Sequence, residues 1–325
     1  MSNKSKIYQT ISKHSIEKIV KDSFDLDTIV ISFRELKGGL FNTTYLVNIG
    51  KPLKKLVLRI APINQELLID FEKTMMSREE NIYKLLQDKG VPTSRVIKYD
   101  NTCEVISREY ILLEYVEGIP LSSPLFPEEY REKIQFDLGA CTSKMHEIKA
   151  SSFGWISEKN SENGFKSWGE FIKVFTDEIS VKAYNNNVFE ESYIKKFNDF
   201  FHNNIKLFDI KEEPSLIHND LWEPNIIVKP VGNSWDIAAI IDADRALYGH
   251  REYEFVLWSN NPSFMRGYNR ELDMSPEGRL RRKAYALILS FLNSYVNKVQ
   301  YDNEIEYMNC KGWALNELKE IKAFK

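Results

Sequence analysis

The sequence predicts an α+β protein in two unequal parts, a small antiparallel sheet with one helix over residues 1–116 and a larger, mostly helical region over 117–325. Three observations carry this. Short β-branched and aromatic runs alternate with Gly/Pro turns in the first part. Helical stretches dominate the second, and Glu117-Gly118-Ile119-Pro120 breaks the pattern between them.

Residues 28–33 are rich in β-formers and lead into Lys37-Gly38-Gly39. A second strand follows at 43–49, and Gly50-Lys51-Pro52 turns the chain into a third at 56–60. Residues 65–87 are helical in composition, with Met75, Ile82, Leu85 and Leu86 forming the apolar face, and Gly90 and Pro92 end that helix. Strands are expected at 95–99 and 110–116. Beyond the break, 127–149, 167–184 and 189–207 read as helices, with Pro127 suited to a first turn. A short apolar run at 215–217, a second at 226–228 and a strand at 235–241 interrupt them as a loop-bearing hairpin, and helices resume at 276–299 and 303–324.

The chain is long enough for one large or two ordinary domains. Its 43% apolar and 28% charged residues are those of a globular protein. A net charge of −3 without a basic tract argues against nucleic acid and is compatible with a cationic small molecule. Cys103, Cys141 and Cys310 are odd in number and lack metal-type spacing, as expected of reduced thiols in a cytoplasmic protein. Residues 1–20 have no apolar segment of the signal-peptide kind, and no run is long enough to span a membrane. Either a monomer or a homodimer is compatible with these features.

The most informative segment is His218-Asn219-Asp220-Leu221-Trp222-Glu223-Pro224-Asn225, followed by Ile241-Asp242 at the end of an apolar run. The catalytic loop of protein kinases reads His-Arg-Asp-Leu, three variable residues, then Asn, with the same Asp-to-Asn separation. The chemistry requires those types together. An acceptor hydroxyl needs a carboxylate to orient it and take its proton, and an amide oxygen and a second carboxylate hold the metal that bridges the triphosphate. Asp220 is the candidate base, and Asn225 and Asp242 are the candidate ligands of Mg²⁺. Upstream, Gly38-Gly39 sits between two strands, where a turn can offer N–H groups to phosphates. Arg59 is the lone cation within the apolar part of its strand and needs a partner, which Glu79 or Glu80 on the next helix can supply. At the break, Glu114 and Val116 are expected to present backbone groups to an adenine or guanine edge.

These segments, with Leu113-Glu114-Tyr115-Val116-Glu117-Gly118, Met145-His146 and Gly249-His250-Arg251-Glu252-Tyr253-Glu254, resemble the aminoglycoside phosphotransferase family of small-molecule kinases, which includes choline and fructosamine kinases. The resemblance runs over roughly residues 30–300. It implies a bilobal protein-kinase-like fold and Mg²⁺-dependent transfer of the γ-phosphoryl of ATP or GTP to a hydroxyl. It makes Asp220 the base, Asn225 and Asp242 the metal ligands, and Glu79 the helix glutamate that holds the strand cation. Asn219 stands where the family usually has Gly, and Arg59 where many members have Lys. No Asp-Phe-Gly or Ala-Pro-Glu follows, which points to a small-molecule acceptor rather than a peptide. Asp244, Glu254, Trp258 and a loop at 260–269 are expected to line the acceptor pocket, whose acidity would suit an aminated, polyhydroxylated molecule. An aminoglycoside or other antibiotic, inactivated by phosphorylation to give resistance, is the first expectation. A fructosamine, sugar or amino-alcohol kinase and an inactive kinase-fold binding module are the alternatives.

Overall fold

The computed structural model describes residues 5–156 and 164–323. The N-terminal sheet is antiparallel and has the order β1-β2-β3-β5-β4, built from β1 (Ile29–Glu35), β2 (Thr43–Gly50), β3 (Lys54–Ile60), β4 (Val96–Asp100) and β5 (Tyr110–Glu114). Strand alternation gives it two different faces. Tyr45, Val47, Ile49, Leu56, Leu58 and Ile60 pack under α1 (Lys13–Ser23), through Ile16, Ile19 and Val20. The other face carries Ile111 and Leu113 against Met76, Ile82, Tyr83 and Leu86 of α2 (Met75–Asp88). Val57 and Arg59 lie on this second face, so the alternation that buries Leu58 on one side delivers Arg59 to the other.

The helix expected over 65–87 begins as two 3₁₀ turns, Gln65–Leu67 and Asp70–Thr74, before α2 starts. Helix α1 was not anticipated, because only Ile16, Ile19 and Val20 of its residues are buried and the rest read as polar chain. Its start is capped by Ser12, whose hydroxyl accepts from Ser15 N–H at 3.1 Å.

The C-terminal part contains α3 (Arg131–Met145), α4 (Trp168–Asn185), α5 (Glu191–Asn203), α6 (Pro262–Tyr268), α7 (Pro276–Tyr295) and α8 (Glu304–Ala323). The end of the last expected helix, Phe324, lies outside the described residues. An aromatic core formed by Trp168, Phe171, Phe197, Phe208, Tyr285 and Phe291 joins α4, α5 and α7, and Trp168 Nε1 donates to the Tyr285 hydroxyl at 2.8 Å. The expected 260–269 loop is largely α6, started by Asn261, whose side chain accepts from Phe264 N–H.

Two small sheets set the site. Strand β6 (Ile119–Pro120) comes directly out of the break between the parts and pairs with β9 (Ile226–Val231), which pairs with β10 (Ser234–Ile240). Gly118 allows that approach, since a Cβ there would lie 2.6 Å from the Val228 carbonyl oxygen. The second sheet has the order β7 (Gly154–Trp155), β11 (Leu247–Gly249), β8 (Ser215–Ile217). Among the described residues no helix is long and apolar enough to cross a membrane.

Candidate active site

Strand pairing explains why the motif residues meet. Ile226 opposes Ile240 in the β9–β10 hairpin, so Asn225 and Ile241-Asp242 emerge side by side at its open end, and Ile241 N–H donates to the Asn225 carbonyl at 2.9 Å. Strand β8 leads straight into His218. The His218 ring carries its hydrogen on Nε2, which donates to the Ile241 carbonyl at 3.1 Å, and Nδ1 accepts from Asp220 N–H at 3.3 Å. One imidazole therefore ties the loop to the strand that delivers Asp242.

Asn225 Nδ2 donates to the Asp220 carboxylate and to its carbonyl, both at 2.9 Å. That orientation leaves Asn225 Oδ1 as the free donor atom. Two residues here adopt left-handed backbone, Asn219 with φ of 61° and Asp242 with φ of 63°. The first explains the departure from Gly, because Asn is among the few residues that tolerate this conformation. Asp shares that tolerance, so the left-handed turn at Asp242 also suits its residue.

Arg59 is held by three carboxylates. Its Nη1 donates to Glu79 Oε1 at 2.5 Å, and its Nη2 donates to Asp242 Oδ1 at 2.6 Å and Asp244 Oδ2 at 2.7 Å. A planar fork can serve several acceptors at fixed geometry, and a lysine ammonium would have to make these contacts from one point. Glu79, rather than the exposed Glu80, is the helix partner. Tyr83, one turn further along α2, accepts from Asp242 N–H at 3.0 Å, an i,i+4 relation to Glu79 that helical spacing alone makes visible. Glu79 and Asp244 are almost fully enclosed, whereas the Asp242 side chain is 40% exposed and is the member of the cluster open to the cleft. Burial, followed by the charge of Asp242, pushes the Asp244 carboxyl well above its ordinary range, and burial pushes Glu79 in the same direction.

Removing the cation should therefore leave uncompensated buried charge, and Arg59→Met is expected to cost about 3–5 kcal/mol in urea unfolding at pH 7. A carboxyl whose native pKa is raised contributes stability that is present below its unfolded value and lost as pH rises through the native value. The deficit should shrink on going from pH 7 towards pH 5. A variant as stable as wild type at pH 7 would place Arg59 outside a buried cluster.

Three residues expected in the acceptor pocket are buried and engaged with the protein itself. Asp244 is 3% exposed and serves Arg59. Glu254 is 5% exposed, with Oε2 accepting from His218 N–H and Oε1 from Asn219 N–H at 3.0 Å, so it holds the loop from behind. Trp258 is buried, stacks on Phe264 and donates its indole N–H to the Leu221 carbonyl. Buried carboxylates and indoles need partners, and here these are the loop backbone and Arg59 rather than a ligand. Glu254→Ala would orphan two loop N–H groups at about 1–3 kcal/mol each. A loss of about 3 kcal/mol is expected from the denaturation midpoint, partly recovered in Glu254→Gln, and a loss below about 0.5 kcal/mol would return Glu254 to the surface.

The remaining expected residues lie at two edges. Gly38, with φ of 121°, and Gly39 form an exposed turn between β1 and β2, and at its end Asn42 Nδ2 donates to Asp244 Oδ2 at 3.5 Å. Glu114 opposes Leu56 on β3 and Arg59 opposes Ile111, so three strand residues, about 10 Å, separate Glu114 from the cation. The Glu114 N–H donates to the Arg95 carbonyl at 2.9 Å, and its own carbonyl accepts from Ser94 Oγ at 2.7 Å, leaving one lone pair. The N–H is thus not available to a base edge. Val116 follows β5 in irregular, half-buried chain.

A five-stranded sheet with its helix, joined by one connector to a helical part that supplies a His-x-Asp loop and an aspartate-ended hairpin, defines a bilobal kinase-like phosphotransferase fold. The sequence profile of the phosphotransferase enzyme family matches residues 32–285, and the chain belongs to that family. It is a phosphotransferase enzyme. Among curated proteins none matches the chain. Solved structures share the fold. The ternary complex of a thermostable mutant of aminoglycoside phosphotransferase APH(4)-Ia with AMP-PNP and hygromycin B is 18% identical, with a TM-score of 0.67 over 94% of this chain and 98% of that one. The GDP and kanamycin complex of APH(2")-IIia is 14% identical, with a TM-score of 0.63 over 96% and 98%. A Thermobifida fusca protein provisionally named a fructosamine-3-kinase is 18% identical, with a TM-score of 0.64 over 94% and 100%.

Proposed function

We propose that the chain transfers the γ-phosphoryl of ATP or GTP to a hydroxyl of a small acceptor, with nucleotide bound by residues 1–116 and acceptor by 117–325. The observation that carries this reading is the Asp220 carboxylate held by Asn225 beside the exposed carboxylate of Asp242. Asp220 orients the hydroxyl and takes its proton. Burial raises its pKa, with the charge of Asp242 acting in the same direction and Arg245 opposing. A base shifted upward is better matched to a neutral operating pH.

Asn225 Oδ1 and the Asp242 carboxylate are hard oxygen donors of the kind Mg²⁺ prefers, and the Asp242 side chain is the part of the cluster open to the cleft. When bound, Mg²⁺ neutralises charge on the phosphate oxygens. Asp242 then has Arg59 as its neighbour, and Glu79 keeps that cation in place. The Gly38-Gly39 turn offers backbone N–H groups to the phosphates, and the Val116 backbone and the Glu114 carbonyl serve the base edge.

For the acceptor we infer an aminated, polyhydroxylated molecule, an aminoglycoside or other antibiotic, or else a fructosamine or amino alcohol. What supports this is the company of folds, since similar structures include enzymes in complex with hygromycin B and kanamycin and a provisional fructosamine kinase. The burial of Asp244, Glu254 and Trp258 withdraws them as support. The test is acceptor-stimulated nucleoside diphosphate release across aminoglycosides, fructosamines, sugars and amino alcohols, with ATP and with GTP, using Asp220→Asn as the blank. Stimulation by at least one aminated polyol is expected. Release no greater than the blank throughout the panel would contradict the reading.

A further inference from the structure

The segment that delivers Asp242 runs between the two parts of the protein and is held from both. Ile240 N–H donates to the Pro92 carbonyl at 2.8 Å, just beyond α2, whereas Ile241 N–H donates to the Asn225 carbonyl at 2.9 Å. The peptide that joins Ile241 to Asp242 is shared between the parts. Its carbonyl accepts from His218 Nε2 at 3.1 Å, and its N–H donates to the Tyr83 hydroxyl of α2 at 3.0 Å. Both polar groups of that peptide are thus satisfied by side chains, one from the catalytic loop and one from the helix on the sheet.

Tyr83 is buried, and its ring belongs to the cluster that holds Met76, Ile82 and Leu86 of α2 with Ile111 and Leu113 of the sheet. A phenylalanine would serve that packing. The hydroxyl is what tyrosine adds, and it is spent on Asp242. Asp242 is the residue that starts the 3₁₀ turn Ala243–Arg245, yet its side chain makes no capping bond, so the turn does not orient the carboxylate. Two contacts do so instead, Arg59 Nη2 on Oδ1 at 2.6 Å and Tyr83 on the N–H. Both lead back to one face of α2, because Glu79, which holds Arg59, lies one turn before Tyr83.

We propose that Tyr83 is a positioning residue for the metal carboxylate. Its hydroxyl fixes the Asp242 peptide so that the carboxylate is presented to the cleft, and it makes metal affinity depend on how α2 is docked. The inference rests on the phosphotransfer reading above, in which Asp242 holds Mg²⁺. Tyr83 acts through Asp242 alone, touching no reacting atom and exchanging no proton.

The test is Tyr83→Phe, which deletes one oxygen and keeps the ring. Calorimetric affinity for non-hydrolysable analogues of ATP and GTP would be measured with Mg²⁺ and with chelator, in wild type and variant. Thermal melts would verify folding, and amide hydrogen exchange at Asp242 would be followed in the metal-free protein. Mg²⁺ should tighten binding to wild type. Tyr83→Phe should lose about tenfold of that gain, the size of one hydrogen bond, with affinity in chelator unchanged. The Mg²⁺ concentration for half-maximal turnover should rise by about the same factor, with acceptor KM unchanged and most of kcat recovered at saturating Mg²⁺. The Asp242 amide should exchange faster in the variant. A Tyr83→Phe protein that keeps the wild-type Mg²⁺ gain, or that loses affinity equally with and without Mg²⁺, would overturn the proposal and leave the kinase reading standing. A wild type that binds neither analogue would overturn both.

Discussion

Asp220→Asn is expected to lower turnover by about 10²–10⁴-fold while leaving nucleotide affinity near that of wild type. The substitution preserves size but removes the oxygen proposed to take the acceptor proton. The loop should survive it, because Glu254 holds the backbone of His218 and Asn219 and the His218 ring holds the Ile241 carbonyl. Asn225 also keeps its bond to the carbonyl of residue 220. The same carboxylate should shape the pH profile. Burial first, and then the charge of Asp242, raise its pKa, so kcat/KM should fall as pH drops through a value above the ordinary aspartate range near about 3.9. Asp220→Asn should abolish that limb along with the rate. A variant that keeps most of its turnover on an acceptor, with the limb unchanged, would remove Asp220 from the mechanism.

What was legible in the sequence follows from the range of the interactions concerned. The five N-terminal strands are set by local alternation and Gly/Pro turns, and each was visible within two residues of its place. Asp220, Asn225 and Asp242 were visible because their relation is one of spacing along a loop and a hairpin. Arg59 betrayed itself as a charge in an apolar strand. Which glutamate answers it was not readable, since Glu79 and Glu80 are adjacent and only the docking of α2 on the sheet turns one inward.

The internal partners of the expected acceptor residues were not readable, for a physical reason. A carboxylate near a catalytic motif looks like a ligand group when its true partner lies far along the chain. Glu254 meets backbone 36 and 35 residues away, and Asp244 meets Arg59 across 185. The 260–269 segment looked like a loop because of Pro262 and Gly267. Pro262 instead occupies a helix start, and Gly267 lets α6 press on α3, where a Cβ would meet the Phe136 carbonyl oxygen at 1.9 Å.

The central claim is that Asp242 and Asn225 hold the metal through which nucleotide is bound for transfer, and Asp242 supplies the only charge of that pair. The most direct test is nucleotide affinity with and without Mg²⁺ in wild type, Asp242→Asn and Asn225→Ala, alongside turnover. Mg²⁺ should tighten nucleotide binding to wild type, and chelation should abolish activity that Mg²⁺ or Mn²⁺ restores. In Asp242→Asn the Mg²⁺-dependent gain should disappear and turnover with it, while Asn225→Ala should show a milder loss of both. If Mg²⁺ tightens nucleotide binding to Asp242→Asn as much as to wild type, Asp242 is not the metal's carboxylate and the mechanism built on it is wrong.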